Sequence, residues 1–108
     1  MTEKRYKIVV YVPESHAESV RNAMGEAGAG KIGKYSFCTF TSKGTGRFIP
    51  GEGSDPAVGT VGELTVVPEE RIETVCEAKY IKQTIQAVRE AHPYEEPAMD
   101  VYPIELID

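Results

Sequence analysis

Cysteines and long apolar runs are scarce in this chain, and basic residues are fewer than acidic ones. Its 108 residues include only two cysteines, Cys38 and Cys76, without CxxC or metal-ligand spacing. Disulfide scaffolds of this size normally carry more cysteines, so we expect two reduced thiols in a cytoplasmic protein. No apolar run approaches the roughly 20 residues of a membrane span, and the run at 8–12 is too short for a secretory signal. These absences exclude a disulfide-rich secreted domain and a membrane protein.

The charge balance excludes a further class of protein. Lysine and arginine together number 12 against 17 aspartates and glutamates, which gives a formal net charge of −5. A protein that binds nucleic acid needs a basic surface to neutralise phosphates. We therefore expect no nucleic-acid partner, whereas a protein partner or a small ligand is compatible with this charge.

The hydrophobic pattern predicts one α+β domain over residues 1–108. Alternating β-branched and aromatic residues predict extended segments at 6–12, 35–41, 63–67, 71–76 and 99–104. Pro68 separates the third of these segments from the fourth. The sequence Ser15-x-x-Glu18 fits a capping box that opens a helix ending near residue 27, and an apolar stripe predicts a second helix over 77–91.

The resulting order β-α-β-β-α-β is that of ferredoxin-like domains, in which two helices cover one face of a four-stranded antiparallel sheet. Strand 6–12 is apolar on both faces, with Ile8 and Val10 on one and Val9 and Tyr11 on the other. The second face has no helix to cover it in this fold. We therefore expect another copy of the chain, or another domain, to pack there.

A glycine-rich connection over residues 42–60 is the first candidate binding segment. Loops of this length inside a small domain are usually functional or disordered. Gly44 and Gly46 allow backbone N–H groups to converge on an anion, and Arg47 adds a guanidinium suited to a carboxylate or phosphate. The alternative interpretation is a flexible hairpin turn with a solvated arginine.

The second candidate is the segment His-Pro-Tyr-Glu-Glu-Pro-Ala-Met-Asp at 92–100, which follows the second helix. It offers His92, Tyr94, Glu95 and Glu96 within five residues, and imidazole with carboxylate suits a divalent metal. The alternative is that His92 caps the helix and the glutamates face water. No nucleophile–base pair can be named anywhere in the chain, which favours a protein that is not an enzyme.

Taken together, five motifs carry a resemblance that covers essentially the whole chain. They are YSFCTF at 35–40, GTGRFxP at 44–50, GxxGxL at 59–64, ERIE at 70–73 and HPYEEPAxD at 92–100. The last motif resembles that of the CutA proteins, ferredoxin-like trimers related in architecture to PII signalling proteins. The full set resembles the CutA/PII-like domain inserted in bacterial members of the Nif-three-like family, which are dinuclear-metal proteins.

The resemblance implies a CutA/PII-like fold, a homotrimer and a ligand in the cleft between subunits. In that arrangement Arg47 contacts an anionic group, His92, Tyr94, Glu95 and Glu96 line or brace the cleft, and Glu73 is a further polar contact. Because the two-metal site of that family is built by the flanking domains, its activity is not transferred here and no resident cofactor is expected.

Three hypotheses follow for the function. The first is a non-enzymatic, homotrimeric binding or regulatory module for a small anionic ligand or a protein partner. The second is a purely structural trimerisation domain, and the third is a divalent-metal binder that uses His92 with Glu95 or Glu96.

Overall fold

A computed structural model describes residues 4–107 of the chain. Its strands and helices are β1 (Arg5–Pro13), α1 (Ala17–Glu26), β2 (Phe40–Phe48), β3 (Thr65–Glu77), α2 (Ile81–Ala91) and β4 (Ala98–Ile104). The strands form one sheet in the order β2-β3-β1-β4, and all neighbouring pairs are antiparallel. This arrangement confirms the predicted ferredoxin-like α+β fold.

The core lies between the two helices and one face of the sheet. Ile8, Val10 and Val12 alternate along β1 and are completely buried against Met24 of α1 and Val88 of α2. Because side chains of a strand alternate between faces, these β1 residues share one face while Lys7, Val9 and Tyr11 lie on the other. We call that second surface the open face.

The expectation that the open face leaves Val9 uncovered was wrong. Val9 is only 1% exposed in the single chain. The register places it between Glu73 of β3 and Asp100 of β4, and it is buried without a second copy of the chain. The apolar groups exposed on this face stand at its margins instead, where Phe40 is 68% and Tyr102 42% exposed.

The second strand begins later in the chain than predicted, at Phe40. Before it, Ile32 and Tyr35 exchange two backbone hydrogen bonds, of 3.0 and 2.9 Å, around a two-residue turn that contains Gly33 at φ 58°. Phe37 then adopts φ 59°, which is outside the extended region. The prediction of a strand at 35–41 was therefore largely wrong. Residues 42–48, predicted as part of a loop, pair with β3, and the actual loop runs from 49 to 64.

Pro68 does not interrupt the third strand, contrary to prediction. β3 runs unbroken for 13 residues, and Pro68 pairs with Thr45 of β2. The pairing between β1 and β3 ends at Glu69. Pro68 therefore lies where β3 has a neighbour on one side only, a position at which the missing N–H is tolerated. The β2–β3 hairpin projects beyond β1 from this point. We call the projecting part, residues 45–48 of β2 and 65–68 of β3, the arm.

Both helices begin later than predicted, each after a 3₁₀ turn. The turn Glu14–His16 precedes α1, and Ser15 Oγ lies 2.8 Å from Nδ1 of His16, with no side-chain hydrogen bond that caps the helix. Glu18 instead accepts a hydrogen bond from Arg21. The predicted capping box is therefore wrong. A second turn, Ala78–Tyr80, precedes α2, which begins at Ile81.

Candidate functional site

A pocket opens where the arm leaves the rest of the sheet. Its cavity volume is about 330 Å³, within the range of small-molecule sites. The arm, the 49–64 loop and the start of β4 surround it, and we call it the arm pocket. It is lined by Tyr11, Gly46, Arg47, Phe48, Pro50, Ser54, Pro56, Ala57, Val58, Glu69, Tyr94, Glu95, Glu96 and Ala98.

The polar centre of the pocket is Glu69 with Tyr94. The Tyr94 hydroxyl donates a hydrogen bond of 3.4 Å to Glu69 Oε2, and the ring of Phe48 packs edge-on against Tyr94 at 5.6 Å between centroids. Burial raises the pKa of Tyr94 to about 12, together with the neighbouring Glu69 charge. Burial also raises the pKa of the Glu69 carboxyl, although the Tyr94 hydrogen bond opposes this. Tyr94 is therefore a neutral donor at ordinary pH.

A glycine makes room for the Glu69 carboxylate. A Cβ atom added at Gly46 would overlap the Glu69 carboxyl group, whereas one added at Gly44 would meet nothing within 4 Å. The close approach of a side chain to the backbone is thus the physical reason for glycine at 46. Glycine at 44 has no such explanation in this structure.

His92 braces the pocket from behind rather than lining it. Its ring is 6% exposed. Nε2 lies 2.7 Å from the carbonyl oxygen of Tyr11, and Nδ1 accepts a hydrogen bond of 3.1 Å from the backbone N–H of Tyr94. Since the carbonyl can only accept and the N–H can only donate, the ring is neutral with its proton on Nε2. Burial accordingly lowers the pKa of His92.

Glu95 connects the far wall of the pocket to the long loop. The backbone N–H of Asp55 donates a hydrogen bond of 2.8 Å to Glu95 Oε1. The loop is closed on itself by a hydrogen bond of 2.9 Å from the N–H of Gly62 to the carbonyl of Pro50. These two contacts hold residues 50–58 over the cavity, with Pro56 and Val58 in its wall.

The structure brings together most, but not all, of the residues selected from the sequence. Gly46, Arg47, Tyr94, Glu95 and Glu96 line the arm pocket. Gly44 lines a neighbouring groove that shares Tyr11, Gly46 and Glu69 with it.

Glu73 lies apart from the pocket, on the open face. Its carboxylate is 4.0 Å from Lys7 Nζ and 3.8 Å from Arg71 Nη1, and it lines a different groove with Ile32 and Phe40. The structure therefore supports no contact between Glu73 and a molecule in the arm pocket.

Nine of the fourteen pocket residues were not selected from the sequence, and Tyr11, Phe48 and Glu69 are the three among them with an aromatic ring or a charge. Glu69 could have been found by counting. In an extended chain, neighbouring residues point to opposite faces, so strand alternation carried through Pro68 places Glu69 and Glu73 on one face and Glu70 on the other. The predicted break at Pro68 removed that information.

A metal ion finds little support in this geometry. Both ring nitrogens of His92 are engaged by backbone groups, although a metal ligand needs a free nitrogen. Among residues 4–107, no group of three or more histidine, cysteine, aspartate or glutamate side chains is placed to hold a metal ion.

Neither helix in that range has the length and apolar content needed to cross a membrane.

Relatives with about 50% sequence identity match nearly the whole chain. No protein-family model matches it. A protein of Halalkalibacterium halodurans named GTP cyclohydrolase 1 type 2 homolog is 52% identical over 103 residues, which are 95% of this chain and 28% of that protein. A Bacillus subtilis protein of the same name is 50% identical over 104 residues, 96% of this chain and 28% of that one. The chain thus spans little more than a quarter of these relatives.

Solved structures show the same relationship to NIF3-related proteins, and they also show which fold the chain shares with other proteins. A Bacillus cereus protein related to NIF3 is similar with a TM-score of 0.85 and 51% identity, over 98% of this chain and 27% of that chain. CutA of Archaeoglobus fulgidus has a TM-score of 0.65 at 16% identity, over 94% of this chain and 85% of its own. GlnK of Bacillus subtilis has a TM-score of 0.64 at 15% identity, over 96% of this chain and 84% of its own. The chain is therefore homologous to one region of NIF3-related proteins, and it has the fold of CutA and GlnK.

Proposed function

We propose that this chain is a non-enzymatic, self-associating module of NIF3-related proteins that binds a small molecule in the arm pocket. The main observation that supports this proposal is the location of the pocket, where the arm begins and at the edge of the open face. Tyr11 and Glu69 belong both to that face and to the pocket wall. A second copy packed on the open face would therefore lie beside the pocket and close it further.

A regulatory rather than catalytic role fits the chemistry of the pocket. Its side chains that can exchange protons are Tyr11, Glu69, Tyr94, Glu95 and Glu96, with Arg47 as the one cation. His92 is held neutral behind Tyr94. The Tyr94 hydroxyl is hydrogen-bonded to the Glu69 carboxylate at 3.4 Å, but the pKa of Tyr94 is raised to about 12, the opposite of what an activated nucleophile needs. The name GTP cyclohydrolase 1 type 2 homolog belongs to proteins more than three times as long. We propose that any such activity resides in their remaining sequence.

The similarity of fold to GlnK, whose solved structure is a complex with ATP, also supports a binding role. At 15% identity that likeness concerns the fold alone. An anionic ligand held by Arg47 is the proposal that the sequence suggested, and among the described residues Arg47 has no ion pair or side-chain hydrogen bond that would occupy it. We propose a cytoplasmic location, supported by the two free thiols Cys38 and Cys76.

Native mass spectrometry of the purified protein tests the proposal. We expect a trimer that carries extra mass, which would distinguish a nucleotide or metabolite from a metal ion. A monomer would contradict self-association. A trimer that takes up no small molecule, even from a metabolite extract, would contradict the binding role.

The structural alternative is supported by a different observation. His92 and Glu95 are satisfied by the chain's own backbone, at Tyr11, Tyr94 and Asp55, as in a segment that only organises an interface. Replacing Glu96 with alanine separates the two functions, because Glu96 has no hydrogen bond to the described chain. The structural alternative predicts no effect on ligand binding, whereas a binding pocket predicts weaker binding with an unchanged trimer.

A further inference from the structure

Glu69 differs from the other acidic residues of its strand. Glu70 pairs with Arg21 at 2.6 Å, Glu73 pairs with Lys7 and Arg71, and Glu77 pairs with Lys79 at 3.7 Å. Among residues 4–107 no lysine, arginine or histidine nitrogen lies within 4.0 Å of the Glu69 carboxylate. Its one side-chain hydrogen bond is the 3.4 Å contact from Tyr94. Glu69 is thus a half-buried carboxylate without a cation.

The walls around Glu69 suit a cation with an apolar body. The rings of Tyr11, Phe48 and Tyr94 line the cavity together with prolines and Val58. Aromatic faces attract an organic cation through their quadrupole, and the attraction strengthens when water is excluded. A carboxylate in such surroundings gains most from a charged donor that replaces its lost hydration.

The charge of the pocket has the same sign throughout, apart from one residue. Glu69, Glu95 and Glu96 line it against Arg47 alone. Arg47 pairs with Val66 in the β-ladder, so its side chain leaves the strand on the face opposite to that of Phe48. An anion in the pocket would be repelled by the Glu69 carboxylate, whereas a cation would supply the positive charge that Glu69 lacks.

We propose that the arm pocket binds an organic cation, an amine or guanidinium group attached to an apolar or aromatic body, with Glu69 as the counter-ion. This inference rests on the proposed function for the existence of a binding site, and it specifies the ligand class. It replaces the expectation of an anionic ligand. The ammonium group donates to Glu69, and the rings of Phe48 and Tyr94 enclose the body of the ligand.

Calorimetric titration of the full chain with three matched probes tests the proposal. The probes are benzylammonium, benzyl alcohol and benzoate, which share an aromatic ring and differ in charge. We expect benzylammonium to bind at millimolar concentration or better, and benzyl alcohol to bind about tenfold more weakly, because a neutral hydroxyl replaces the charged ammonium as donor to the Glu69 carboxylate. We expect no heat from benzoate.

Two variants locate the site. Glu69→Gln keeps the shape of the side chain and an oxygen for Tyr94, so we expect it to fold and to bind benzylammonium about tenfold more weakly. Glu73→Gln removes a neighbouring acid of the same strand and face that lies outside the pocket, and we expect unchanged binding. Thermal unfolding of both variants verifies that they are folded.

Several outcomes would overturn the ligand class without deciding the proposed function. Benzoate binding that Arg47→Gln abolishes would establish the anionic alternative. Equal binding of benzylammonium and benzyl alcohol would reduce the site to an apolar cleft. An absence of binding by all three probes would refute the organic-cation pocket, while the trimer and its bound mass are measured independently by native mass spectrometry.

Discussion

At the scale of single residues, His92 connects three parts of the fold through one ring. Its backbone N–H closes the last turn of α2 on Val88 at 2.8 Å, while the ring nitrogens bond to backbone groups of Tyr11 and Tyr94. A protonated ring would lose the Tyr94 contact and would place a charge in a buried site. Stability should therefore depend on pH through this residue.

The sign of that dependence follows from linkage. Because burial lowers the pKa of His92 below its ordinary value of 6.5, the unfolded chain takes up the proton first as the pH falls. We expect the free energy of unfolding to decrease below pH 6.5, by at most about 1.4 kcal/mol per pH unit for one site. Urea denaturation at about pH 7.5 and about pH 5.5 measures this decrease.

The control for this prediction is the other histidine, His16, which is exposed. His92→Gln should be less stable than the parent near neutral pH by about 1–3 kcal/mol, since buried backbone partners lose their hydrogen bonds. It should also lose part of the pH dependence, whereas His16→Gln should retain most of it, because the His16 charge is the smaller of the two causes that lower the pKa of His92. Glu69, whose raised pKa acts in the opposite direction at lower pH, is present in both variants. An identical pH dependence in His92→Gln and the parent would contradict the assignment.

The two glycines of β2 provide a matched pair of variants. Gly46→Ala would place a methyl group into the Glu69 carboxylate, which is the end of a flexible side chain and can move aside, so we expect a loss at the low end of the overpacking range, about 1 kcal/mol in the free energy of unfolding. Gly44→Ala meets open space in the same strand, so we expect a change within about 0.5 kcal/mol. Chemical denaturation of both variants checks this difference. A loss in Gly46→Ala no larger than that in Gly44→Ala would contradict a firmly packed Glu69 carboxylate over Gly46.

At the scale of elements, one ion pair fastens α1 to the sheet. Arg21 Nη1 lies 2.6 Å from Glu70 Oε1, and Glu70 is only 8% exposed on the helix-covered face. Hydrogen bonds to Glu70 and Glu18 raise the pKa of Arg21 despite its partial burial. The pair therefore stays charged at every pH at which Glu70 is ionised.

Breaking this pair from one side should be costly. Arg21→Gln leaves Glu70 buried without its cation, and we expect a loss of about 2–3 kcal/mol, below the roughly 3–5 kcal/mol seen for fully enclosed pairs. Lys43→Gln removes an exposed partner of Glu14, at 3.7 Å, and should change stability by less than about 0.5 kcal/mol. Guanidinium denaturation compares the two variants. A loss in Arg21→Gln no larger than in Lys43→Gln would contradict this description of the contact.

At the scale of the whole molecule, we expect the proposed self-association to use the margins of the open face. Phe40 and Tyr102 lie on that face at opposite edges of the sheet and are exposed. Because burial of aromatic side chains dominates many interfaces, we expect Phe40→Asp and Tyr102→Asp to convert the proposed trimer into monomers. Light scattering coupled to size exclusion measures the mass.

The control for this experiment is Val61→Asp, which changes an equally exposed apolar side chain in the 49–64 loop. It should leave the assembly unchanged. The aspartate variants should remain folded, because Phe40 and Tyr102 contribute nothing to the buried core. A trimer that survives both aspartate substitutions would show that association uses another surface.

The order of elements, the core face and the segment around the site could be predicted from local sequence patterns. Period-two and period-3.6 apolar patterns act over a few residues, so Ile8, Val10 and Val88 could be placed without knowledge of their partners. The cluster of Tyr94, Glu95 and Glu96 could be noticed because its members are contiguous. His92 was recognised as important, although its role as a neutral brace depends on a carbonyl 81 residues away.

Three features could not be predicted in this way: the start of β2, the unbroken course of β3 through Pro68, and the acid that lacks a partner. Each of these depends on pairing with a distant segment: Gly46 and Thr45 became strand residues because β3 supplies their hydrogen bonds. Glu69 and Glu70 are neighbours of the same type in the chain, and nothing local distinguishes them. One faces α1 and its arginine, while the other faces an aromatic cavity, since a strand turns successive side chains to opposite sides of the sheet.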